Sequence, residues 1–307
     1  MKQEIISLLR CPRTGQTLAH VADGWFVSTD GTQRYPTIEG TPFLIDIDQS
    51  VIDRYPKVST TSSPVKRSNH SGATKFVKRL LSPEKKSTRD NIEKLVELLA
   101  EKKNPTVLVI GGGTAGQGTD ALYNSSNINI IAFDIYLSDS VDFVADAHCI
   151  PLPDSSVDAV LIQAVLEHVL EPERVVSEVW RVLADDGVVY AETPFLQQVH
   201  EGAYDFTRYT DSGHRYLFRN FTLIQSGSSG GAGTQLLWSI DYFARALFRS
   251  RAMGKLAKLG FFWLQYFDRM ISERHTLDTA SGTYFLGRKS HESLHARDIV
   301  RYYRGAQ

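Results

Sequence analysis

The chain contains the segment Val107-Leu-Val-Ile-Gly-Gly-Gly-Thr-Ala-Gly-Gln-Gly118, in which four apolar residues lead directly into a cluster of glycines. Three of the four apolar residues are β-branched, which is typical of a buried parallel strand that ends in a tight turn. Gly111, Gly113 and Gly116 fit the spacing G-x-G-x-x-G, and glycine lets a ligand approach the backbone without meeting a Cβ atom. The pattern predicts a helix over residues 117–123, whose start would offer free N–H groups. It indicates a nucleotide site, with a purely structural turn as the alternative.

The overall composition narrows the class of protein. The chain has 307 residues, room for one large and one small domain, and its net charge of −1 argues against a dedicated nucleic-acid binder. Two cysteines form no disulfide framework and fit a reducing cytoplasm. We expect no signal peptide and no membrane span, because no long uncharged apolar run occurs. A triphosphate-binding loop is disfavoured, since no Lys-Ser/Thr pair follows the glycines.

Two acidic residues follow the next two predicted strands. Asp134 ends the strand 128–134, eighteen residues beyond Gly116, where doubly wound folds place the carboxylate that accepts both ribose hydroxyls. Asp146 ends the following strand. A dinucleotide dehydrogenase does not need this second acid, whereas an adenine site can use it to meet the exocyclic amine. A helix cap or turn residue is the alternative role for Asp134.

Residues 146–194 resemble the central motifs of class I S-adenosylmethionine-dependent methyltransferases. The run Asp146-Ala-x-x-x-Pro-x-x-Asp-x-Ser-x-Asp158 is similar to the motif after the third strand of that family. Leu166–Gly187 is similar to its next helix, which we expect to start at Pro172 and to end at Gly187, and Val188–Pro194 is similar to its fifth strand. The likeness covers roughly residues 105–230 and returns at 281–289.

The resemblance implies a fold, a cofactor and a set of binding residues. The fold is α/β, a Rossmann-like doubly wound seven-stranded sheet whose last strand is antiparallel. The cofactor is S-adenosyl-L-methionine, with the ribose at Asp134 and the adenine at Asp146 and Ala147. The implied cofactor-binding residues are Gly111, Gly113, Gly116, Asp134, Ile135, Asp146, Ala147 and Gln163.

The chain departs from this family at the glycine segment. Val109 stands where the family commonly has an acidic residue that orders the loop and the methionine amine. The glycine run is also one residue longer than usual, so either Ala115 or Gly116 takes the place of the third glycine. Both features bear on cofactor affinity.

Residues 1–46 are expected to form a separate β-rich domain. Leu8-Leu-Arg-Cys-Pro-Arg-Thr14 and Tyr35–Leu44 resemble the zinc-ribbon domain that accompanies tRNA and protein methyltransferases. Thr14 replaces the second cysteine, and one thiolate cannot hold a structural zinc ion, so we predict a degenerate ribbon without metal. Its apolar residues are Leu8, Leu9, Trp25, Tyr35, Ile38, Phe43 and Ile45.

The remaining chain divides into four further parts. Residues 47–87 read as a polar, basic linker, with contact to an anionic surface as the minority interpretation. The methyltransferase domain is expected over 88–290, and 291–307 as a C-terminal tail. Within the domain, 235–280 reads as an aromatic helical insertion that caps the substrate pocket, with peripheral contact to a membrane surface as the alternative.

The segment after the fifth strand carries the candidate substrate residues. Polar and aromatic side chains alternate there, just past the carboxyl end of a strand, where ligands bind in open α/β sheets. His200 is the candidate general base, and a self-contained hydrogen-bond network that fixes the loop is the alternative. The candidate substrate residues are His168, Tyr204, Asp205, Arg208 and Tyr209.

These observations predict S-adenosylmethionine-dependent methyl transfer to a small-molecule, glycan or lipid-linked acceptor, at oxygen. We expect a cytoplasmic protein with no metal and no nucleic-acid partner. Two alternatives stay open: an NAD(P)-dependent oxidoreductase that uses the same glycine loop, and a non-catalytic methyltransferase-like scaffold, which Val109 would permit.

Overall fold

The structure is a computed structural model that describes residues 3–21, 24–53 and 85–307. In this part of the chain one eleven-stranded sheet runs in the order β1-β2-β3-β4-β7-β6-β5-β8-β9-β11-β10. The strands are Leu18–Val21 (β1), Trp25–Ser28 (β2), Arg34–Ile38 (β3), Thr41–Leu44 (β4), Thr106–Ile110 (β5), Asn129–Asp134 (β6), Phe143–Ala145 (β7), Val157–Gln163 (β8), Leu183–Pro194 (β9), Phe221–Ser228 (β10) and Gly282–Lys289 (β11).

Helices cover both faces of the sheet and form most of the C-terminal third. The α-helices are Gln3–Leu8 (α1), Lys86–Leu99 (α2), Asp120–Tyr123 (α3), Pro172–Val182 (α4), Asp211–Leu217 (α5), Ala232–Phe248 (α6), Arg251–Gly260 (α7), Glu273–Leu277 (α8) and Ala296–Tyr302 (α9). Short 3₁₀ turns lie at Ile47–Gln49, Leu166–His168, Gly202–Tyr204 and Phe262–Arg269.

The centre of the sheet is parallel and its C-terminal edge is antiparallel. Strands β7, β6, β5, β8 and β9 pair in parallel, and β11 pairs antiparallel with both β9 and β10. The mixed α/β architecture agrees with the predicted Rossmann-like fold. The sheet has eleven strands, however, and not the predicted seven.

The additional four strands come from the N-terminal unit. Its hairpins β1 to β4 are antiparallel, and β4 then pairs in parallel with β7 through Phe43 and Val144 and through Leu44 and Ala145. The sequence predicted a separate β-rich domain over residues 1–46. In the structure its last strand extends the main sheet, because both edges are apolar and each satisfies the other's backbone groups.

Two large apolar clusters lie on the two faces of the sheet. One cluster packs α4 and α5 against the sheet and includes Leu9, Phe26 and Tyr35 of the N-terminal unit. The other packs α2 against Val107, Val109 and their neighbours. Of the remaining residues predicted to hold the N-terminal unit, Leu8 and Trp25 are partly buried, while Ile38, Phe43 and Ile45 form a third cluster. The degenerate-ribbon interpretation stays a prediction.

Two predicted helix boundaries are wrong. Helix α4 starts at Pro172 as predicted but ends at Val182, and Leu183 already begins β9, so Gly187 lies within a strand. Leu183 and Val188 are fully buried in the sheet, and that burial favours the extended conformation. After the glycine loop, α3 begins only at Asp120 and has four residues, so the predicted helix over 117–123 is too long.

The insertion and the C-terminal tail are both helical. Helices α6 and α7 pack against each other and against the 3₁₀ segment Phe262–Arg269. In the tail, Arg304 donates to the carboxylate of Asp211 at 3.0 Å and ties the end of the chain to α5. Most of the predicted basic linker lies at 54–84, outside the described residues. No described helix is long and apolar enough to cross a membrane.

Candidate active site

A cavity of about 780 Å³ opens at the carboxyl ends of the parallel strands. Its wall includes the last residues of β5, β6 and β8 together with the 3₁₀ turn at Gly202–Tyr204. Its volume lies within the range of small-molecule sites, about 300–1,000 Å³. The cavity therefore occupies the position that open α/β sheets use for ligands.

The glycine segment turns sharply beneath this cavity. Gly111 has a φ of +76°, which favours glycine, and a Cβ atom there would lie 2.3 Å from Cγ2 of Val165. At Gly116, a Cβ atom would lie 2.1 Å from Oε1 of Gln163. Both glycines line the cavity, while the N–H of Gly113 donates to Oδ2 of Asp134 at 3.0 Å. The third glycine place thus belongs to Gly116, which faces the cavity, and not to Ala115.

Replacing Gly111 with alanine is expected to destabilise the fold by about 2–4 kcal/mol. The left-handed conformation alone costs an L-residue about 1–2 kcal/mol, and the contact with Val165 adds to that cost. Urea denaturation measures the change. Gly31→Ala is the matched control, because Gly31 has a φ of +71° and open space around its Cα. Equal losses in both variants would contradict a close approach at Gly111.

The two predicted strand-end acids both reach the cavity. Asp134 is buried and lines the cavity beside Ile135, and its carboxylate also accepts from the N–H of Tyr136 at 3.3 Å. Asp134 therefore orders the glycine loop through Gly113 and still faces the space where a ribose would lie. The cap or turn role and the binding role are compatible at this residue.

Asp146 is held from two sides. Its Oδ1 accepts from the backbone N–H of His148 at 3.0 Å and lies 2.6 Å from Nδ1 of the same residue. Its Oδ2 accepts from the hydroxyl of Ser50, which follows the N-terminal unit. Burial opposes ionisation, but the hydrogen bonds from His148 and Ser50 lower the pKa of Asp146. Ala147 lies beside it in the cavity wall, as does Val51.

A carboxylate that sequence reasoning missed lines the same cavity as Val109. Glu192, near the end of β9, is buried and lines the cavity with Gln163. Its Oε1 accepts from the hydroxyl of Thr88 at 2.6 Å and from that of Tyr190, and its Oε2 lies 3.7 Å from Nζ of Lys85. The cavity wall thus contains a buried carboxylate although position 109 is a valine. Two of its partners, Thr88 and Lys85, are about a hundred residues away, so no local motif points to it.

The loop that follows β9 brings His200 and Tyr204 into the cavity wall, where they join His168. His168, His200 and Tyr204 all line the cavity. Nδ1 of His168 donates to the carbonyl of Tyr204 at 2.7 Å, and burial lowers the pKa of His168. The two imidazole rings stand edge to face, with their centroids 4.9 Å apart.

The other three predicted substrate residues, Asp205, Arg208 and Tyr209, do not line this cavity, and their contact with substrate stays a prediction. Arg208 pairs with Asp205 and donates to backbone carbonyls of the same loop, including that of Gln197 at 2.9 Å. Burial alone would raise the pKa of Asp205, but the hydrogen bonds from Arg208 outweigh this effect and lower the pKa to about 2. Tyr209 packs against His214 in the core. For Asp205 and Arg208 the self-contained network is the observed arrangement.

Glu167 is a second functional candidate that sequence reasoning missed. It lies in the 3₁₀ turn after β8, its side chain is 1% exposed, and its backbone carbonyl accepts from the N–H of Phe206 at 2.8 Å. Burial raises the pKa of Glu167 to about 8. Its neighbour in sequence, His168, was noticed because histidine is chemically conspicuous, whereas a glutamate in a helical run reads as a surface residue.

The helical insertion supports the cavity from the side. None of its described residues lines the cavity wall, which is not what a cap predicts. The insertion contacts the loop that carries His200, since the hydroxyl of Tyr242 donates to the carbonyl of Val199 at 2.9 Å and Gln198 donates to Ser239 at 2.9 Å.

Residues 108–191 match the family described as "Methyltransferase domain". This part of the chain is therefore similar to methyltransferase domains. The matched residues include the glycine segment, Asp134 and Asp146. The match supports S-adenosylmethionine as the cofactor, as the sequence predicted. It does not reach residues 1–46. No curated protein matches the chain in sequence.

Several solved structures are similar to the methyltransferase domain and its flanks. A protein assigned as a sarcosine dimethylglycine methyltransferase from Galdieria sulphuraria is 16% identical, with 70% of this chain and 97% of that chain covered and a TM-score of 0.43. The [4+2]-cyclase SpnF is 17% identical, with 66% and 80% covered and a TM-score of 0.38. Phosphoethanolamine N-methyltransferase 2 from Haemonchus contortus, in complex with S-adenosyl-L-methionine, is 14% identical, with 66% and 53% covered and a TM-score of 0.42.

The residues of the cavity fit this cofactor. A Cβ atom at Gly111 or Gly116 would clash with the side chains of Val165 and Gln163, so glycine lets these wall residues pack closely against the loop. Asp134 offers acceptors for hydroxyl groups at one position, and Glu192 offers a buried carboxylate for an ammonium group at another. The apolar residues Val51, Phe133 and Val169 of the cavity wall suit a flat aromatic base.

Proposed function

We propose that the chain transfers a methyl group from S-adenosylmethionine to the oxygen of a small-molecule, glycan or lipid-linked acceptor. The observation that carries the proposal is the convergence of the glycine loop, Asp134 and Glu192 on one cavity within a methyltransferase domain. When bound, the cofactor supplies a methyl group that its sulfonium already activates. The protein then has mainly to bind, align and exclude water.

Each cavity residue has a proposed task. Asp134 accepts hydrogen bonds from the ribose hydroxyls, and Ile135 and Ala147 border the adenosine. Asp146 holds this edge of the cavity in place through Ser50 and His148, a task that leaves direct adenine contact to the backbone beside it. Glu192 attracts the methionine ammonium in place of the acid that is absent at Val109.

The acceptor is proposed to enter beside His168, His200 and Tyr204. These side chains lie in one wall of the cavity, and they offer hydrogen-bonding groups and a ring face to a hydroxyl-bearing molecule. The cavity of about 780 Å³ has to hold the cofactor as well as the acceptor, so we expect an acceptor no larger than an aromatic or sugar ring with its substituents.

Calorimetry with the purified chain tests the cofactor, and extracts incubated with methyl-labelled S-adenosylmethionine test the transfer. We expect saturable binding and a labelled product that mass spectrometry identifies. Binding of NAD in place of S-adenosylmethionine would favour the oxidoreductase. Cofactor binding with no labelled product in any extract fraction would favour the non-catalytic scaffold. No cofactor binding at millimolar concentration would overturn the proposal.

The helical insertion is proposed to rest on an anionic membrane surface. Its outer side exposes large apolar side chains, among which Phe243 is 68% and Met270 is 79% exposed. Basic residues lie between them, whereas the acids of the insertion all accept hydrogen bonds from the protein; these acids are Asp241, Asp268, Glu273 and Asp278. Interleaved apolar and basic side chains suit the headgroup region of an anionic bilayer. The exposed apolar residues are Leu236, Phe243, Leu247, Phe248, Leu256, Leu259, Phe261, Trp263, Tyr266, Phe267 and Met270.

Co-sedimentation with vesicles tests this surface. The chain is expected to bind vesicles that contain phosphatidylserine. The double variant Phe243→Ser/Met270→Ser is expected to bind them at least about tenfold more weakly, because each substitution removes an apolar side chain that would insert into the bilayer. Val300→Ser is the matched control, since Val300 is 77% exposed but lies outside the insertion. Equal binding by both variants would contradict the proposal, as would self-association of the wild-type chain through this face.

A further inference from the structure

Two histidines of the cavity wall face a buried carboxylate. Nε2 of His168 lies 3.7 Å from Oε1 of Glu167, and Nε2 of His200 lies 3.9 Å from the same oxygen. The candidate ligand atoms all lie within 4.8 Å of one another. Metal bonds of about 2.0–2.2 Å place neighbouring ligand atoms roughly 3–3.5 Å apart. Small side-chain rotations therefore bring all three groups onto one ion.

The far nitrogens of both rings are fixed in the way that metal sites require. Nδ1 of His168 faces the carbonyl of Tyr204 at 2.7 Å, and a carbonyl only accepts, so Nδ1 carries the proton. Nδ1 of His200 lies 3.2 Å from Oδ2 of Asp205. Each arrangement leaves the Nε2 lone pair directed toward Glu167. Carbonyl and carboxylate partners of this kind orient histidine ligands in metal centres.

Glu167 supplies a second, independent observation. Its side chain is 1% exposed, and its Oε2 has no hydrogen-bond partner within the described part of the chain. A buried carboxylate oxygen without a partner is costly, and a cation in the cluster would satisfy it. Lys85 and Arg208 influence Glu167 only through longer-range attraction, because neither forms an ion pair with it.

We propose that Glu167, His168 and His200 bind one divalent transition-metal ion. Two imidazoles and one carboxylate form a ligand set that suits Zn²⁺ or Fe²⁺ and leaves coordination positions open. The open positions face the cavity, because His168 and His200 line it. The ion site corrects the expectation that the chain uses no metal, and it stands without the proposed function.

The role of the ion rests on the proposed methyl transfer. A hydroxyl acceptor would coordinate an open position through its oxygen, and the ion would lower the pKa of that hydroxyl group. The O–H bond breaks, its proton leaves to bulk water, and both electrons stay on the oxygen. The resulting oxygen nucleophile needs no protein base, so His200 would act as a ligand and not as the predicted general base.

Titration of the untagged full chain with Co²⁺ tests the site, because visible absorption bands report the ligands directly. We expect one Co²⁺ per chain. Glu167→Gln and His200→Gln are each expected to lower the affinity for Co²⁺ by at least about 100-fold. The positioning variant Asp205→Asn is expected to lower it by about 10-fold, the range that removal of an outer-shell partner produces. His275→Gln is the matched control, since His275 is exposed and lies outside the cavity wall.

Parallel calorimetry with S-adenosylmethionine separates the two proposals. Cofactor binding without Co²⁺ binding would overturn the ion site and leave the proposed function intact. Co²⁺ binding without cofactor binding would support the ion site and overturn the proposed function. Co²⁺ binding that is equal in wild type and His200→Gln would also overturn the site, and because His200 is partly exposed this variant is expected to fold.

Discussion

Asp134→Ala is expected to weaken S-adenosylmethionine binding by at least about 100-fold, because hydrogen bonds to a charged group are each worth about 1.5–3 kcal/mol and the ribose offers two hydroxyls. The variant also removes the acceptor of the Gly113 N–H, which is 3.0 Å from Oδ2 in the folded chain. Calorimetry measures the affinity directly.

Two controls separate ribose binding from loop order. Asp134→Asn keeps an oxygen for Gly113 but loses the charge, so it should bind more tightly than the alanine variant and more weakly than the wild type. Asp142→Asn should leave affinity unchanged, because Asp142 bonds the N–H of Ala132 and does not line the cavity. Unaltered affinity in Asp134→Ala would contradict the assigned cofactor site.

A fragment of the cofactor distinguishes the two ends of the cavity. Methylthioadenosine retains the adenosine and lacks the methionine ammonium and carboxylate. Asp134→Ala should lose affinity for both ligands, whereas Glu192→Gln should lose affinity for S-adenosylmethionine alone. Equal losses for both ligands in Glu192→Gln would place Glu192 in a purely structural role with Thr88 and Tyr190.

One buried histidine, His214, is expected to lower the free energy of unfolding by about 3 kcal/mol as the pH falls from about 6.5 to 4.5. Each pH unit changes this free energy by about 1.4 kcal/mol for every proton that only the unfolded chain binds. His214 is fully buried among Phe218, Phe285 and Tyr209, with Thr283 Oγ1 at 3.2 Å from Nδ1, and burial lowers its pKa to about 3. Below about pH 6.5 the imidazole of His214 binds a proton in the unfolded chain but stays neutral in the folded chain. The stability is therefore intact above that pH and falls as the pH falls toward 3.

Urea denaturation across this pH range checks the effect. Below about pH 6.5, the free energy of unfolding should depend on pH less steeply in His214→Phe than in the wild type, by the equivalent of about one proton. Carboxylates elsewhere contribute equally to the variant and to the wild type. His295→Gln is the matched control, because His295 is exposed; this variant should keep the wild-type slope. Identical slopes for His214→Phe and wild type would contradict a neutral buried His214.

Local sequence patterns predicted the central strands and half of the cavity. The apolar run, the glycines and Asp134 succeed one another in sequence, so the same short segments that form the strands also carry the proposed cofactor residues. The end of α4 was missed because helix periodicity continues past Val182, while the burial of Leu183 in the sheet depends on strands far away.

The other half of the cavity depends on pairs that are distant in sequence. Glu192 meets Thr88 across 104 positions, and Ser50 meets Asp146 across 96. His168 and His200 come together only because the loop after β9 returns to the turn after β8. The pairing of β4 with β7 is also a contact between distant segments, and nothing in the sequence of either strand predicts which strand it pairs with.

The hydrogen bond from Ser50 to Asp146 joins the segment that follows the N-terminal unit to the proposed cofactor cavity. If this unit in place holds the adenosine end of the cavity in its binding shape, the free energy that it adds to cofactor affinity must be returned in full as tighter seating when the cofactor is present. A segment that carries no reactive group of its own would then set the cofactor concentration at which the chain is half saturated.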